Sequence, residues 1–295
     1  MTISHEFEYL RPGTVEEALV ALAEHGTAAR VLAGGTDLVP WLRDDLVAPG
    51  VLVDVKRIEA LRGIEVTDGA LRLGALATFS DLIESDPIRS VFPVLAEMAE
   101  TVASVGIRNR ATVVGNICSA VPSNDAGPVL LAAGALVHTA GVGGPRMIPF
   151  RGWFLAPGRT ALDAGELVTG LSIRVPDEHG AVFCKLSRYA GEDLAQASVA
   201  VLALTGPSYR ISFGAVAPTT VRAGVIEEAL EGREIDAAAV TDAVALVPEV
   251  ISPITDIRAS AEYRAHMCGV MLARALPAAA ARRDGAGPPF GAMLI

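Results

Sequence analysis

The sequence predicts an α+β fold divided into more than one domain, and three observations predict it. The first 55 residues alternate strand and helix around a glycine turn. The stretch from about Ile58 changes to short strands interrupted by one long helical segment. A polar break at 174–180 then separates this from a second set of strands and helices. At 295 residues the chain also exceeds the size at which a single core keeps growing.

The elements follow in order. Thr14 with Glu17 forms a capping-box pair, and Val15, Ala18, Leu19 and Leu22 recur on one helical face before His25-Gly26 stops the helix. A strand at Arg30-Val31-Leu32 runs into Ala33-Gly34-Gly35-Thr36-Asp37, a turn that opens a second helix through Trp41 and Leu42. Val51-Leu52-Val53-Asp54-Val55 is a further strand, which makes the opening segment a small parallel α/β unit. Beyond it, Leu71-Arg72-Leu73 reads as a strand and 87–104 as one long helix. The break Arg174-Val175-Pro176-Asp177-Glu178-His179-Gly180 sets the domain boundary. After it come a strand at Val182-Phe183-Cys184-Lys185, a helix over 193–204, a strand at Tyr209-Arg210-Ile211-Ser212-Phe213, and mostly helices to about Leu276. These readings give a domain at 1–176, in lobes of about 1–55 and 56–176, a domain at 181–277, and a loosely ordered tail at 278–295.

Composition excludes several function classes. A net charge of −10, from 34 acidic and 24 basic residues without a basic run, disfavours nucleic acid and anionic membrane surfaces as partners. Residues 1–9 carry Glu6 and Glu8 and lack an apolar stretch, so no signal peptide is expected. No apolar run reaches the roughly 20 residues needed to span a bilayer, and a cytoplasmic chain without membrane insertion is expected. Cys118, Cys184 and Cys268 are odd in number and scattered, which fits reduced thiols and provides no iron–sulfur cluster spacing. The five histidines stand apart from one another and from other ligands, so no metal site is expected.

Two small-residue segments can carry ligand chemistry. Gly34 and Gly35 let the backbone approach a ligand, and Thr36 with the amides of a helix start can point donors at an anion such as a diphosphate. The same residues are also compatible with a tight strand-to-helix turn that binds nothing. The second segment runs from Thr112-Val113-Val114-Gly115-Asn116-Ile117 through Cys118-Ser119-Ala120-Val121-Pro122-Ser123-Asn124-Asp125. Its density of small and polar groups predicts a loop that satisfies its own backbone or a ligand's. An ordinary loop in which Asn124 and Asp125 cap the next helix is the alternative. Neither segment contains GxGxxG or GxxxxGK[ST], so Rossmann and P-loop readings lose their support.

Taken together, the chain resembles the FAD-binding medium subunits of the xanthine dehydrogenase and carbon monoxide dehydrogenase family. The resemblance runs from Phe7-Glu8-Tyr9-Leu10-Arg11-Pro12 to Asp256-Ile257-Arg258-Ala259-Ser260-Ala261-Glu262-Tyr263-Arg264. Between these lie the first glycine turn, Ile107-Arg108-Asn109, the Thr112 segment, Pro128-Val129-Leu130-Leu131-Ala132-Ala133-Gly134-Ala135 and Ala215-Val216-Ala217-Pro218-Thr219, in the family's order. It implies a two-lobed (PCMH-like) FAD-binding domain followed by a C-terminal α+β domain with a short antiparallel sheet and helices. It also implies an oxidoreductase subunit that holds non-covalent FAD. Electrons would come from a [2Fe-2S] small subunit served by a molybdopterin-binding large subunit, and would go to NAD, oxygen or a quinone. A free-standing flavin oxidase or dehydrogenase and a flavin-free scaffold subunit are the competing readings.

By the same resemblance, Ala33, Gly34, Gly35, Thr36 and Asp37, and Thr112, Gly115 and Asn116, form two diphosphate-binding turns. Ser119 and Asp125 approach the ribityl and adenosine portions, and Lys185 approaches the isoalloxazine, where a cation stabilises an anionic reduced flavin. The chain departs from the family's pattern at three positions. Val114 replaces the first glycine of the second turn, Gly106 stands where Gln is frequent, and Cys118 replaces a small apolar residue. If φ at Val114 is positive, valine strains the turn. The flanking Val113 and Ile117 favour negative φ in an extended segment, with only Gly115 bending.

Overall fold

The computed structural model describes residues 3–189 and 193–295. Met1 and Thr2, part of the stretch read as lacking a signal peptide, lie outside the described residues. The first lobe contains β1 (Glu8–Leu10), α1 (Val15–His25), β2 (Ala29–Leu32), α2 (Leu38–Arg43) and β3 (Val51–Asp54). Its strands pair in parallel in the order β1-β3-β2, so all three C-terminal ends, and the glycine turn after β2, emerge on one edge. Thr14 Oγ1 accepts from the Glu17 amide at 3.2 Å, while the Glu17 carboxylate accepts from Gly13 N rather than from the cap residue. Burial of Ala18, Ala21 and Leu22 seats α1 on the sheet.

The second lobe runs from β4 (Ile64–Thr67) and β5 (Ala70–Gly74) through α3 (Phe79–Glu84), α4 (Asp86–Val91), α5 (Val94–Glu100), α6 (Val105–Arg108), α7 (Val113–Ser119) and α8 (Ala126–Ala133). It continues with β6 (Leu136–Gly141), β7 (Gly144–Pro149), the small hairpin β8 (Phe154–Ala156) and β9 (Arg159–Thr160), and β10 (Leu167–Arg174). Five of these strands form an antiparallel sheet in the order β4-β5-β10-β6-β7. Two expectations are corrected here. The single helix over 87–104 is two short helices, α4 and α5, because Pro93 cannot donate to a continuing ladder and Phe92 leaves helical geometry at φ −150°. The expected loop from Thr112 begins as helix α7, capped by Thr112 and held down by buried Val113, Val114 and Ile117.

The C-terminal domain has β11 (His179–Leu186), β12 (Ala197–Leu204), β13 (Ser208–Gly214) and β14 (Val221–Arg222), antiparallel in chain order. Helices α9 (Gly224–Leu230), α10 (Ala237–Ala245), α11 (Val247–Val250) and α12 (Ala261–Arg283) complete it. The helix expected over 193–204 is instead strand β12. Its Ala200 and Leu202 join the core of the second lobe, whereas Val199, Val201 and Ala203 join the core beneath α12. A strand covered on both faces loses the apolar–polar alternation that marks strands in sequence.

The tail expected from 278 onward is also corrected. Helix α12 continues to Arg283, and the chain beyond it folds back on Arg282. That buried guanidinium pairs with Glu97 at 2.9 Å and donates to the carbonyls of Ala181, Pro288 and Pro289, with Phe290 against its face. Gly291 N reaches the same carboxylate, and Arg274 donates to Leu294 O. Five guanidinium donors buried together require this many acceptors, and the tail's carbonyls supply two of them. No helix among the described residues is long and apolar enough to cross a membrane.

Candidate functional site

The first turn leaves the C-terminal edge of the parallel sheet and enters α2. Gly35 sits at φ +76°, a conformation costly for residues with a Cβ, and its carbonyl accepts from Val39 N at 3.0 Å. A side chain here would point at Leu32 and Val39, so the requirement for glycine is conformational. The amides of Thr36, Asp37 and Leu38 find no acceptor among the described residues. They stand at a helix start where partial positive charge gathers.

Thr112 opens the second turn. Its buried hydroxyl accepts from Gly115 N at 2.9 Å, its carbonyl accepts from Asn116 N, and Val113 N donates to Ala77 O, which leaves the Val114 amide free among the described residues. Gly115 is helical, and a Cβ there would lie 2.8 Å from the Thr112 hydroxyl. Val114 is not among the positive-φ residues, so negative φ holds there, but the segment is helical rather than extended. Asn116 Oδ1 accepts from Ala126 N at 3.3 Å, and Ser119 Oγ donates to the Asn116 carbonyl. Burial pushes the Cys118 thiol up to about 12, far above the range of a reactive thiolate.

The two turns come from different lobes and meet through Gly34. A Cβ on Gly34 would lie 1.9 Å from Arg110 O and 3.1 Å from Ala111 Cα, immediately before Thr112. Glycine at this position is what lets the two backbones touch. The unpaired amides of one lobe and those of the other thus line a common junction.

Lys185, on β11, reaches the start of α8. Its ammonium is 2.9 Å from Asp125 Oδ2 and donates to Thr101 O at 2.9 Å, and both side chains of the pair are buried. Burial raises Asp125 to about 6, against the lowering effect of Lys185. Asp125 Oδ1 is buried with no hydrogen-bond partner, an orphan acceptor of the kind a ligand hydroxyl can satisfy. Asn124, not Asp125, caps α8, accepting from Gly127 N at 2.8 Å.

Sequence reasoning did not find the ion-pair network that orders the C-terminal domain. Asp256 accepts from the amides of Arg258 and Ala259 and pairs with Arg264, and the Arg258 amide is the largest influence holding it down at about 2. Arg264 in turn donates to Gln196 O and Ala215 O, pinning the ends of β12 and β13. The signal was present in the Asp256 to Arg264 motif, but its partners lie about 50 to 70 residues away. Among the described residues no cluster of three or more His, Cys, Asp or Glu could hold a metal.

Residues 5–178 match the family of the FAD binding domain in molybdopterin dehydrogenase, and residues 181–279 match the CO dehydrogenase flavoprotein C-terminal domain. The carbon monoxide dehydrogenase medium chain of Afipia carboxidovorans is 34% identical over 95% of this chain and 99% of its own. The xanthine dehydrogenase FAD-binding subunit of Escherichia coli O157:H7 is 29% identical over 94% of this chain and 97% of its own. Among solved structures, a carbon monoxide dehydrogenase chain from Hydrogenophaga pseudoflava, lacking the Mo-pyranopterin moiety, superposes with a TM-score of 0.92 at 35% identity. That alignment covers 96% of this chain and 99% of the other. With both of its domains matched and its fold shared along nearly its whole length, the chain belongs to the FAD-binding subunit family of the molybdopterin dehydrogenases.

Proposed function

We propose that this chain is the FAD-dependent electron-transfer subunit of a molybdenum hydroxylase, holding FAD non-covalently at the junction of its two lobes. The observation that carries the reading is the approach of the two turns through Gly34, with the second turn tied to the helix start that bears the orphan Asp125 Oδ1 by the Ala126 N to Asn116 Oδ1 hydrogen bond. In this reading Thr36, Asp37, Leu38 and Val114 donate backbone N–H groups to the diphosphate, and Gly35 holds the first turn open. Asp125 Oδ1 accepts from a ribityl hydroxyl, and Ser119 and Asn116 line the same channel. Lys185 faces the cofactor as half of a buried ion pair, so its charge is balanced by Asp125 rather than free. When bound, the flavin supplies the capacity to exchange electrons singly or in pairs.

Two further subunits complete the proposal: a molybdopterin-binding large subunit that oxidises the substrate and a [2Fe-2S] small subunit that delivers the electrons. NAD, oxygen or a quinone accepts them, in the cytoplasm. The free thiols of Cys118, Cys184 and Cys268 support a reducing compartment. Val114, the one sequence argument for a flavin-free scaffold, loses that force because a valine in α7 with negative φ is unstrained.

The test is the visible spectrum of the purified chain, with acid precipitation to follow. Flavin bands that pass into the supernatant are expected, and a colourless chain that takes up no added FAD overturns the proposal. In the assembled complex, substrate should bleach those bands and an acceptor restore them.

A further inference from the structure

Three cations of the first lobe gather at one edge of its parallel sheet. At the edge where strands begin lie Glu6 and Glu8, with Asp45 held by Ser4 and His5. At the opposite edge, where the strands end and the glycine turn begins, lie Arg11, Lys56 and Arg57. Leu10 pairs with Val53 and Leu32 with Asp54, so residues 55–57 leave the central strand between Arg11 on one side and Ala33 on the other. Asp54 shares the charge of Lys56, which leaves two guanidinium groups and a shared ammonium on one edge of a chain whose net charge is −10.

Lys56 is the organised member of this group. Asp54 is almost fully buried, receives the Tyr9 hydroxyl on Oδ2, and takes both the Lys56 amide at 3.0 Å and its ammonium at 2.8 Å on Oδ1. Arg62 donates to the Lys56 carbonyl at 2.8 Å. The ammonium is thereby fixed at the strand edge, part-exposed, with two of its three N–H groups left for another acceptor. Arg11 and Arg57 are exposed and have no side-chain acceptor among the described residues, and both lie close enough to act electrostatically on the Tyr9 hydroxyl.

We propose that Arg11, Lys56 and Arg57 form a cationic seat for the diphosphate of FAD, with Tyr9 and Asp54 as the residues that position Lys56. The inference rests on placing the diphosphate at the Ala33 to Asp37 turn, and it adds charge to a site otherwise built from backbone donors. A dianionic group held only by amides is specified in place; a fixed ammonium and two mobile guanidinium groups add attraction that salt screens.

The test titrates the FAD-free full-length chain with FAD, ADP and riboflavin at low and raised ionic strength. Lys56→Met should weaken FAD and ADP about tenfold, as expected for loss of one charge-assisted hydrogen bond. It should leave riboflavin unchanged and flatten the salt dependence. Arg11→Gln and Arg57→Gln should do the same to a smaller extent. They touch neither Asp54 nor the core, so they decide the matter if Lys56→Met does not fold by circular dichroism. FAD affinity and salt dependence unchanged in every folded variant, or riboflavin weakened as much as FAD, would overturn the cationic seat. Gly35→Val is the separate control: FAD retained at full affinity in that variant shows that the diphosphate site itself is elsewhere.

Discussion

Substituting Gly34 by alanine tests the junction on which the functional reading depends. The added Cβ would sit 1.9 Å from Arg110 O and 2.7 Å from the adjoining carbonyl carbon, both backbone atoms that no rotamer change can clear. The two lobes must therefore separate by roughly an ångström, and overpacking of this kind costs about 1–3 kcal/mol. The same displacement pulls the Thr36 to Leu38 amides away from those of α7. Losing one charge-assisted hydrogen bond, worth about 1.5–3 kcal/mol, weakens FAD by roughly ten- to a hundredfold. Gly35→Ala makes the contrast. Its Cβ would meet only side-chain atoms, Leu32 Cδ1 at 3.0 Å and Val39 Cγ2 at 3.3 Å, and its main cost is the φ of +76°, about 1–2 kcal/mol. Flavin fluorescence quenching gives the affinity and a circular dichroism melt gives the stability. Gly34→Ala should lose both, and by more than Gly35→Ala. A Gly34→Ala chain with wild-type affinity and midpoint would refute the argument that the two turns act as one site through this contact.

Val114→Gly removes a buried side chain and places glycine in a helix, so about 2–4 kcal/mol of stability should be lost with no gain in FAD affinity; tighter binding in a titration would show that the valine strains the turn. Glu97→Gln leaves the Arg282 guanidinium buried without its ion partner and should cost about 3–5 kcal/mol in chemical denaturation, together with faster proteolysis of the chain after residue 283. Unchanged proteolysis would separate the tail from that pair. Asp125, raised to about 6 by burial, favours the fold most when protonated: its contribution is complete below about pH 4 and lost as pH rises through about 6, a change of about 3 kcal/mol. Asp125→Asn should therefore remove that component from the FAD-free chain, and denaturation curves of the two proteins that run parallel from pH 4 to 7 would rule it out.

What the sequence determined by itself was whatever depends on neighbours in the chain. Thr14 marked the start of α1, Gly34-Gly35 marked the turn between β2 and α2, and Val51 to Asp54 marked a strand. The order of these short motifs was enough to point to the family later shown by the two matched domains. Tertiary structure decided the rest, for two physical reasons. Periodicity reports a segment only when one face meets water, so β12, buried between two cores, carried a pattern that reads equally well as a helix. In α7, Gly115 and Asn116 hid a helix whose apolar stripe is only three residues deep. The second reason is that ion pairs and backbone contacts have no local signature. Asp125 finds Lys185 across 60 residues and Glu97 finds Arg282 across 185. Gly34, which looks in sequence like a phosphate-binding glycine, is required because the carbonyl of Arg110, from the other lobe, occupies the space its side chain would fill.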